Sequence, residues 1–255
     1  MNAADWSIAE PGPAPGPTVW RASLALDDGG RERCLALLDA EERVRAARFL
    51  RPEDRDRFIA SHAALRLTLA GVLGAAPSPL AFRADASGKP TLAHPWRGRL
   101  DFNLSHSGGF ALIALSPAAR IGVDIEAVRP LSDALRIARG HFAPQEIAAL
   151  AALPARSLTE AFFACWTCKE AFVKALGLGL SMVLGRFAVA VPPRPAALLA
   201  IDGDPHAAGR WSLHRLDPAP GHTGAVAIEA PDAVCRLHSL RPDWTGALFE
   251  SPPSR

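Results

Sequence analysis

This chain carries almost no net charge. Its 28 lysines and arginines face 26 acids, a formal charge of +2, whereas a dedicated nucleic-acid binder needs a concentrated basic surface. Long apolar runs are missing too. None approaches the roughly 20 residues that span a bilayer, and Met1 to Glu10 lacks the basic-then-apolar order of a secretory signal. Neither a nucleic acid nor a membrane is therefore expected as a partner. Cysteine is scarce: four in 255 residues do not make a disulfide framework, so the expected compartment is the reducing cytoplasm. Cys165-Trp166-Thr167-Cys168 invites a redox reading, but a reactive dithiol sits at a strand-to-helix junction, where the helix N-terminus lowers the thiol pKa. This pair falls in mid-helix, where two cysteines three apart are ordinary packing residues. A zinc site would need two more ligands, and Cys34 and Cys235 stand alone.

What is plentiful is apolar bulk. At 49% hydrophobic, the chain can bury one large core or two small ones. Residues 1–17 form a Pro/Gly-rich lead expected to be extended and flexible. Val19 to Leu24 reads as a first strand. Asp39 with Glu42 is a capping box opening a short helix, Ala40 to Phe49. A longer helix is expected over Glu53 to Leu73, ended by Gly74, from the helical spacing of Phe58, His62, Leu65, Leu69 and Val72. A short strand follows near Ala81 and Phe82, then an apolar run over Phe110 to Leu115 and a strand over Arg120 to Glu126. Ser132 to Arg139 and Pro144 to Ala152 read as helices. Ser157 with Glu160 reads as a second capping box, opening a helix to Leu176 closed by Gly177. Four strands are expected beyond it, over Arg186 to Val191, Arg210 to Leu213, Ala225 to Ile228 and Ala233 to Leu237. The tail from Ser251 is expected to be disordered. The helix over Arg57 to Gly74 faintly echoes that over Glu160 to Gly177. The expected division is an N-terminal lobe over 18–118 and a C-terminal lobe over 119–250.

Three segments carry chemistry. Along a strand, side chains alternate faces, so Ile121, Val123 and Ile125 point one way while Asp124 and Glu126 stand side by side on the other. Two such carboxylates repel unless a cation or a proton lies between them, and hard oxygens in this arrangement suit Mg²⁺. Taken alone, the pair reads first as a solvated acidic edge, by about two to one. On the helix, Glu170 and Lys174 are four apart and share a face; alone they read as a surface ion pair, but Phe163, Trp166, Phe172 and Val173 surround them with apolar bulk. Ser105-His106-Ser107-Gly108-Gly109 offers hydroxyls, backbone N–H groups and an imidazole to an anion, or is a polar hairpin turn. No Gly-x-Ser-x-Gly elbow supports serine hydrolysis. Arg43, Arg45, Arg48, Arg51, Arg55 and Arg57 could meet phosphate as bidentate forks or form a solvated helix face.

Phe102-Asn103-Leu104-Ser105-His106-Ser107, Asp124-Ile125-Glu126 and Trp166-Thr167-Cys168-Lys169-Glu170-Ala171-Phe172-Val173-Lys174, with Gly88-Lys89-Pro90 before them, together resemble the 4′-phosphopantetheinyl transferase superfamily. The size resembles its larger, two-lobed type, which activates peptide and polyketide synthases. The resemblance covers roughly residues 40 to 190, four blocks agreeing in order and spacing.

The resemblance implies an α+β fold of two similar α/β lobes, with the active site in the cleft between them. It implies transfer of the 4′-phosphopantetheine arm of coenzyme A to a serine of an apo acyl or peptidyl carrier protein, with release of adenosine 3′,5′-bisphosphate. Asp124, Glu126 and Glu170 match the metal ligands of the family, Lys174 its helix lysine, and Ser105 and His106 its phosphate-binding pair. Arg43, Arg45 and Lys89 match the groups that contact coenzyme A phosphates; Arg48 and Arg57 match less closely. Glu170, directly or through water, is the candidate base, and Lys174 and His106 are placed to stabilise phosphate charge. The chain departs from the family in its Pro-rich lead and at Glu42, where relatives often carry a base. Two other functions fit the same residues: an Mg²⁺-dependent nucleotide phosphohydrolase and a non-catalytic coenzyme A-binding module. One chain supplying both sides of a cleft points to a monomer. Which carrier is served is not written in these motifs.

Overall fold

Two helices of 22 residues dominate the molecule, and a glycine ends each. Pro52–Leu73 stops at Gly74 (φ 64°) and Ala155–Leu176 at Gly177 (φ 76°), left-handed positions that residues bearing a Cβ avoid. The computed structural model describes residues 6–78, 80–179 and 182–247. Its elements in chain order are β1 (Ser7–Ile8), β2 (Thr18–Ser23), α1 (Asp28–Leu37), α2 (Ala40–Ala47), α3 (Pro52–Leu73), β3 (Phe82–Ala84), β4 (Pro90–Leu92), β5 (Asp101–Ser107), β6 (Phe110–Ser116) and β7 (Ile121–Ala127). They continue as α4 (Ala134–His141), α5 (Pro144–Ala151), α6 (Ala155–Leu176), β8 (Phe187–Val189), β9 (Leu198–Ile201), α7 (Pro205–Ala208), β10 (Ser212–Leu216), β11 (His222–Ile228), β12 (Arg236–Ser239) and α8 (Trp244–Ala247). The tail expected to be disordered lies outside the described residues.

The fold is α+β in two lobes. Helix α3 lies on a five-stranded sheet of order β1-β12-β2-β6-β5, and α6 on a three-stranded sheet of order β10-β11-β7. One apolar cluster fills the first lobe around Phe58, Leu69, Phe102 and Ile113, and a second fills the other around Phe162, Phe172, Phe187 and Trp211. A third joins them: Ile121, Val123 and Ile125 of β7 meet Val19, Leu112 and Leu237 of the larger sheet. The apolar face of the acid-bearing strand is thus core, as its alternation requires.

Several expectations shift on contact with the structure. The capping box at Asp39 forms, Asp39 accepting from Glu42 N (2.9 Å) and Glu42 accepting from Asp39 N (3.0 Å). The one at Ser157 does not. Helix α6 starts a turn earlier, with Pro154 as its cap, and Ser157 N already donates to Pro154 O (2.9 Å) inside the first turn. Helix α1 was not expected; Asp27 caps it by accepting from Gly30 N. Strand β12 falls within 119–250 yet lies in the first lobe's sheet, between β1 and β2, and Trp244 behind it donates to Ser23 O (3.0 Å). The described part of the N-terminal lead, residues 6–17, is docked at two places. Ser7–Ile8 pairs with β12, and Pro11 lies so close to Gly71 that a Cβ there would stand 2.4 Å from Pro11 O.

Candidate active site

The site is built where α6 crosses β7, and Gly122 sets how close the two come. A Cβ at position 122 would lie 2.2 Å from Ala171 O and 2.3 Å from Ala175 N, so only glycine lets the helix backbone rest on the strand. Gly122, Asp124 and Glu126 share a face of β7. That face meets the side of α6 carrying Glu170 and Lys174. Lys174 Nζ donates to Asp124 Oδ1 (2.5 Å) and to Ser105 Oγ (2.9 Å), and Ser105 Oγ donates to Asp124 Oδ1 (2.8 Å). Ser107 Oγ donates to Glu126 Oε2 (3.0 Å). A cleft of about 620 Å³ opens on these groups, its walls including Ser105, His106, Asp124, Glu126, Trp166, Glu170 and Lys174. The fragment read as a polar turn is the end of β5; the turn proper is Gly108-Gly109, a two-residue hairpin loop with Gly108 at φ 57°.

The electrostatics divide in two. Burial pushes the carboxyl pKa values of Glu126 and Glu170 upward, and Asp124 pushes both further in the same direction. Asp124 Oδ2 is buried and takes no hydrogen bond among the described residues. On the other side, burial pulls the imidazole of His106 down, and the charges of Lys174, Arg57 and Arg45 pull it further. Two acids raised by burial and by the neighbouring Asp124 therefore lie beside an imidazole lowered by burial and by three cations. The first group calls for a cation, the second for an anion.

His106 also borders a second cavity of about 530 Å³ on the first lobe, walled by Arg45, Phe58, His62, Phe82, Arg83 and Asn103 among others. Arg45 lies over the Phe58 ring (5.2 Å), on which His62 stacks (3.8 Å). The two cavities meet at His106, so together they suit a long ligand with its anionic part in the middle.

Of the residues singled out in the sequence, Ser105, His106, Asp124, Glu126, Glu170 and Lys174 are brought together, with Arg45 one cavity away. Two others are not. Arg43 donates to Leu35 O (3.0 Å) and Ala36 O (3.1 Å), closing the last turn of α1, whose carbonyls lack partners within the helix. Lys89 is buried and donates to Asp101 Oδ2 (2.7 Å) and Ile121 O (3.0 Å). Arg57, ranked lower in the sequence, is near enough to weigh on His106. The cavity residues His62, Phe82 and Asn103 were not singled out as site residues. His62 read as part of the apolar spacing of a helix and Phe82 as part of a short strand; Asn103 stands two before Ser105, and strand parity was the signal that could have found it.

Comparison with known proteins decides the family. A family model described as "4'-phosphopantetheinyl transferase superfamily" matches residues 120–227, and one described as "4'-phosphopantetheinyl transferase, N-terminal" matches 30–118. The chain is 37% identical to the 4'-phosphopantetheinyl transferase HetI of Nostoc sp. over 82% of its own length and 86% of that protein. It is 30% identical to the 4'-phosphopantetheinyl transferase Sfp of Bacillus subtilis, over 81% and 89% respectively. It is 24% identical to the mouse L-aminoadipate-semialdehyde dehydrogenase-phosphopantetheinyl transferase, over 76% and 68%.

The chain belongs to the 4′-phosphopantetheinyl transferase superfamily. It is of the larger, two-lobed type, and it is an enzyme of that class. For a phosphopantetheinyl transferase the acid cluster raises the question of a metal. Among the described residues, no three His, Cys, Asp or Glu side chains stand close enough to hold a metal ion together. Lys174 occupies one oxygen of Asp124 instead. The donor set nevertheless fits a hard divalent cation: three carboxylates, two of them with raised pKa values and the third with an unpartnered buried oxygen. Among the described residues no helix is long and apolar enough to cross a membrane.

Proposed function

We propose that this phosphopantetheinyl transferase takes the 4′-phosphopantetheine arm from coenzyme A and places it on a serine hydroxyl of an apo acyl or peptidyl carrier protein. The observation that supports this reading is the juxtaposition around Ser105 and His106: acids on one side, cations on the other, a cavity beyond each. The pyrophosphate of coenzyme A is the ligand part that satisfies both. Asp124, Glu126 and Glu170 would hold Mg²⁺, which when bound supplies charge neutralisation at the pyrophosphate.

The residues themselves then have distinct tasks. Lys174, one turn beyond Glu170, and His106 face the phosphates and stabilise the charge that develops on the leaving group. Arg45 and Arg57 add to the field that draws the anion in. Glu170, whose burial and acidic neighbours make it more basic than an ordinary carboxylate, accepts the serine proton. The serine oxygen forms a bond to the β-phosphorus, the bond from that phosphorus to the bridging oxygen breaks, and adenosine 3′,5′-bisphosphate leaves. Most of the work is positioning. Both walls of the cleft come from one chain, which supports a monomer. Four free, buried cysteines suit the reducing cytoplasm.

The test is intact-mass spectrometry of apo-carriers incubated with the protein, coenzyme A and Mg²⁺. Gain of one phosphopantetheine per carrier, stopped by a chelator, is expected. Unchanged mass across fatty-acid, polyketide and peptide carriers, with folded enzyme, refutes the reading.

A further inference from the structure

Strands β5 and β7 are the edge strands of two different sheets, and they face each other across the seam between the lobes. They do not share a backbone ladder. Instead, alternate side chains of β5 take the N–H groups along the free edge of β7. Ile121 N donates to Asp101 Oδ2 (2.8 Å), Val123 N to Asn103 Oδ1 (2.9 Å) and Ala127 N to Ser107 Oγ (3.0 Å). Residues 101, 103, 105 and 107 point to one side of β5, so the lacing follows strand parity, with a constant offset of 20 residues at these three rungs. Lys89 anchors one end, bonding Asp101 Oδ2 and gripping Ile121 O. The rung at Ser105 departs from the pattern: its hydroxyl reaches the Asp124 carboxylate and receives Lys174. The cleft opens there.

A side chain inserted between two edge strands holds them one side-chain length further apart than a sheet would. It also leaves no exposed strand edge to pair elsewhere. The spacing matters because the rungs flank the acids. Asn103 holds the amide just before Asp124, and Ser107 the amide just after Glu126. The Ser107 hydroxyl has one proton, and it goes to Glu126 Oε2; its lone pair receives Ala127 N. The same oxygen therefore ties strand and carboxylate together.

We infer that Asn103 and Ser107 are positioning residues of this enzyme: from the first lobe they suspend the strand of the second lobe that carries Asp124 and Glu126, and so set where those acids stand. The inference rests on the reading of Asp124 and Glu126 as the metal-holding pair. It assigns Ser107 and Asn103 a task that neither residue's own chemistry announces, since the oxygen each offers is taken by a backbone amide of β7.

The test compares wild type with Ser107→Ala, Ser107→Thr, Asn103→Leu and Asn103→Asp in three measurements: Mn²⁺ affinity by electron paramagnetic resonance, carrier loading rate, and amide hydrogen exchange at Val123 and Ala127. Ser107→Ala is expected to weaken Mn²⁺ binding and slow loading by about 10-fold or more, the usual effect of removing a partner that orients a ligand. Ala127 should exchange faster in the same variant. Ser107→Thr keeps the hydroxyl and should restore all three. Asn103→Leu should release the Val123 amide, and Asn103→Asp, which keeps an acceptor, should not. Asp124→Ala serves as the reference for the metal. If Asp124→Ala binds Mn²⁺ like wild type, the metal reading falls, and the loading rate and exchange still judge the inference. Wild-type loading in Ser107→Ala, or unchanged exchange at both amides in the alanine and leucine variants, overturns it.

Discussion

Gly122→Ala is the smallest change that tests the architecture of the site. It adds one methyl group on the face of β7 that meets α6. That methyl would stand 2.2 Å from Ala171 O and 2.3 Å from Ala175 N, both main-chain atoms that no rotamer change can move. Restoring an ordinary 3.4 Å contact displaces the helix by roughly 1.2 Å. Overpacking of this kind costs about 1–3 kcal/mol, which in a chain of this size lowers Tm by about 2–4 °C per kcal/mol. The larger consequence is catalytic. Glu170 and Lys174 ride on that stretch of α6, while Asp124 and Glu126 stay on the strand. A retreat of that size shifts the backbone that carries Lys174 and Glu170 away from Asp124, to which Lys174 Nζ now donates at 2.5 Å. Since a misplacement of about 1 Å can reduce rates about 100-fold, kcat/KM for carrier loading should fall by about that factor while the protein remains folded. Steady-state loading by mass spectrometry, with a melting curve on the same sample, reads both effects. A variant with the wild-type rate would show that α6 and β7 do not jointly form the site.

Other outcomes follow from single residues. Glu170→Gln keeps shape but removes the basic oxygen, so kcat should fall by roughly 100-fold or more with little change in Tm; a wild-type rate would remove Glu170 from the chemistry. Lys89→Ala should lower stability by leaving the Asp101 carboxylate without its cation and Ile121 O without its side-chain donor, yet change the KM for coenzyme A by less than about 3-fold; a large KM effect at unchanged Tm would return Lys89 to the phosphates. Lys169 Nζ is buried and bonds Glu146 (2.7 and 2.8 Å) and Phe187 O (2.8 Å), so Lys169→Met should destabilise by about 3–5 kcal/mol, checked by denaturant unfolding. Burial raises all four thiols, Cys168 to about 11 and Cys34 and Cys235 to about 12. None should react with a thiol reagent at pH 8 in the native state, and all four should on unfolding; fast native labelling of Cys165 or Cys168 would revive a redox reading.

Much of the fold could be read from local chemistry. The capping box at Asp39, the left-handed glycines after the two long helices, and the alternation of Ile121, Val123 and Ile125 depend on neighbours a few residues away. Helix α1 escaped because Gly29 and Gly30 in its first turn weaken any helical pattern. The Ser157 box misled because Ser-x-x-Glu also occurs inside a helix, and Pro154 starts this one. Strand β12 could not be placed in the first lobe, since parallel pairing with β2, more than 200 residues earlier, leaves no trace in its own short sequence.

The site shows the same division more sharply. Asp124, Glu126, Glu170 and Lys174 could be grouped because carboxylates and an ammonium near apolar bulk need partners, whatever the distance between them. Arg43 and Lys89 were joined to the phosphates only by the family resemblance, and in the structure both have protein partners. A guanidinium suits a phosphate and a helix C-terminus equally well, and a buried ammonium is satisfied by Asp101 as readily as by an anion. Which partner it has is decided by where α1 ends and where β7 passes, and both are tertiary facts. The same holds for β5. Asp101, Asn103, Ser105 and Ser107 are four polar residues in alternation, a pattern that on an ordinary strand means a solvated face. Here the face is turned into a seam between two sheets, so its polarity serves backbone groups instead of water. Alternation told which side chains travel together; only the position of the second lobe told what they meet.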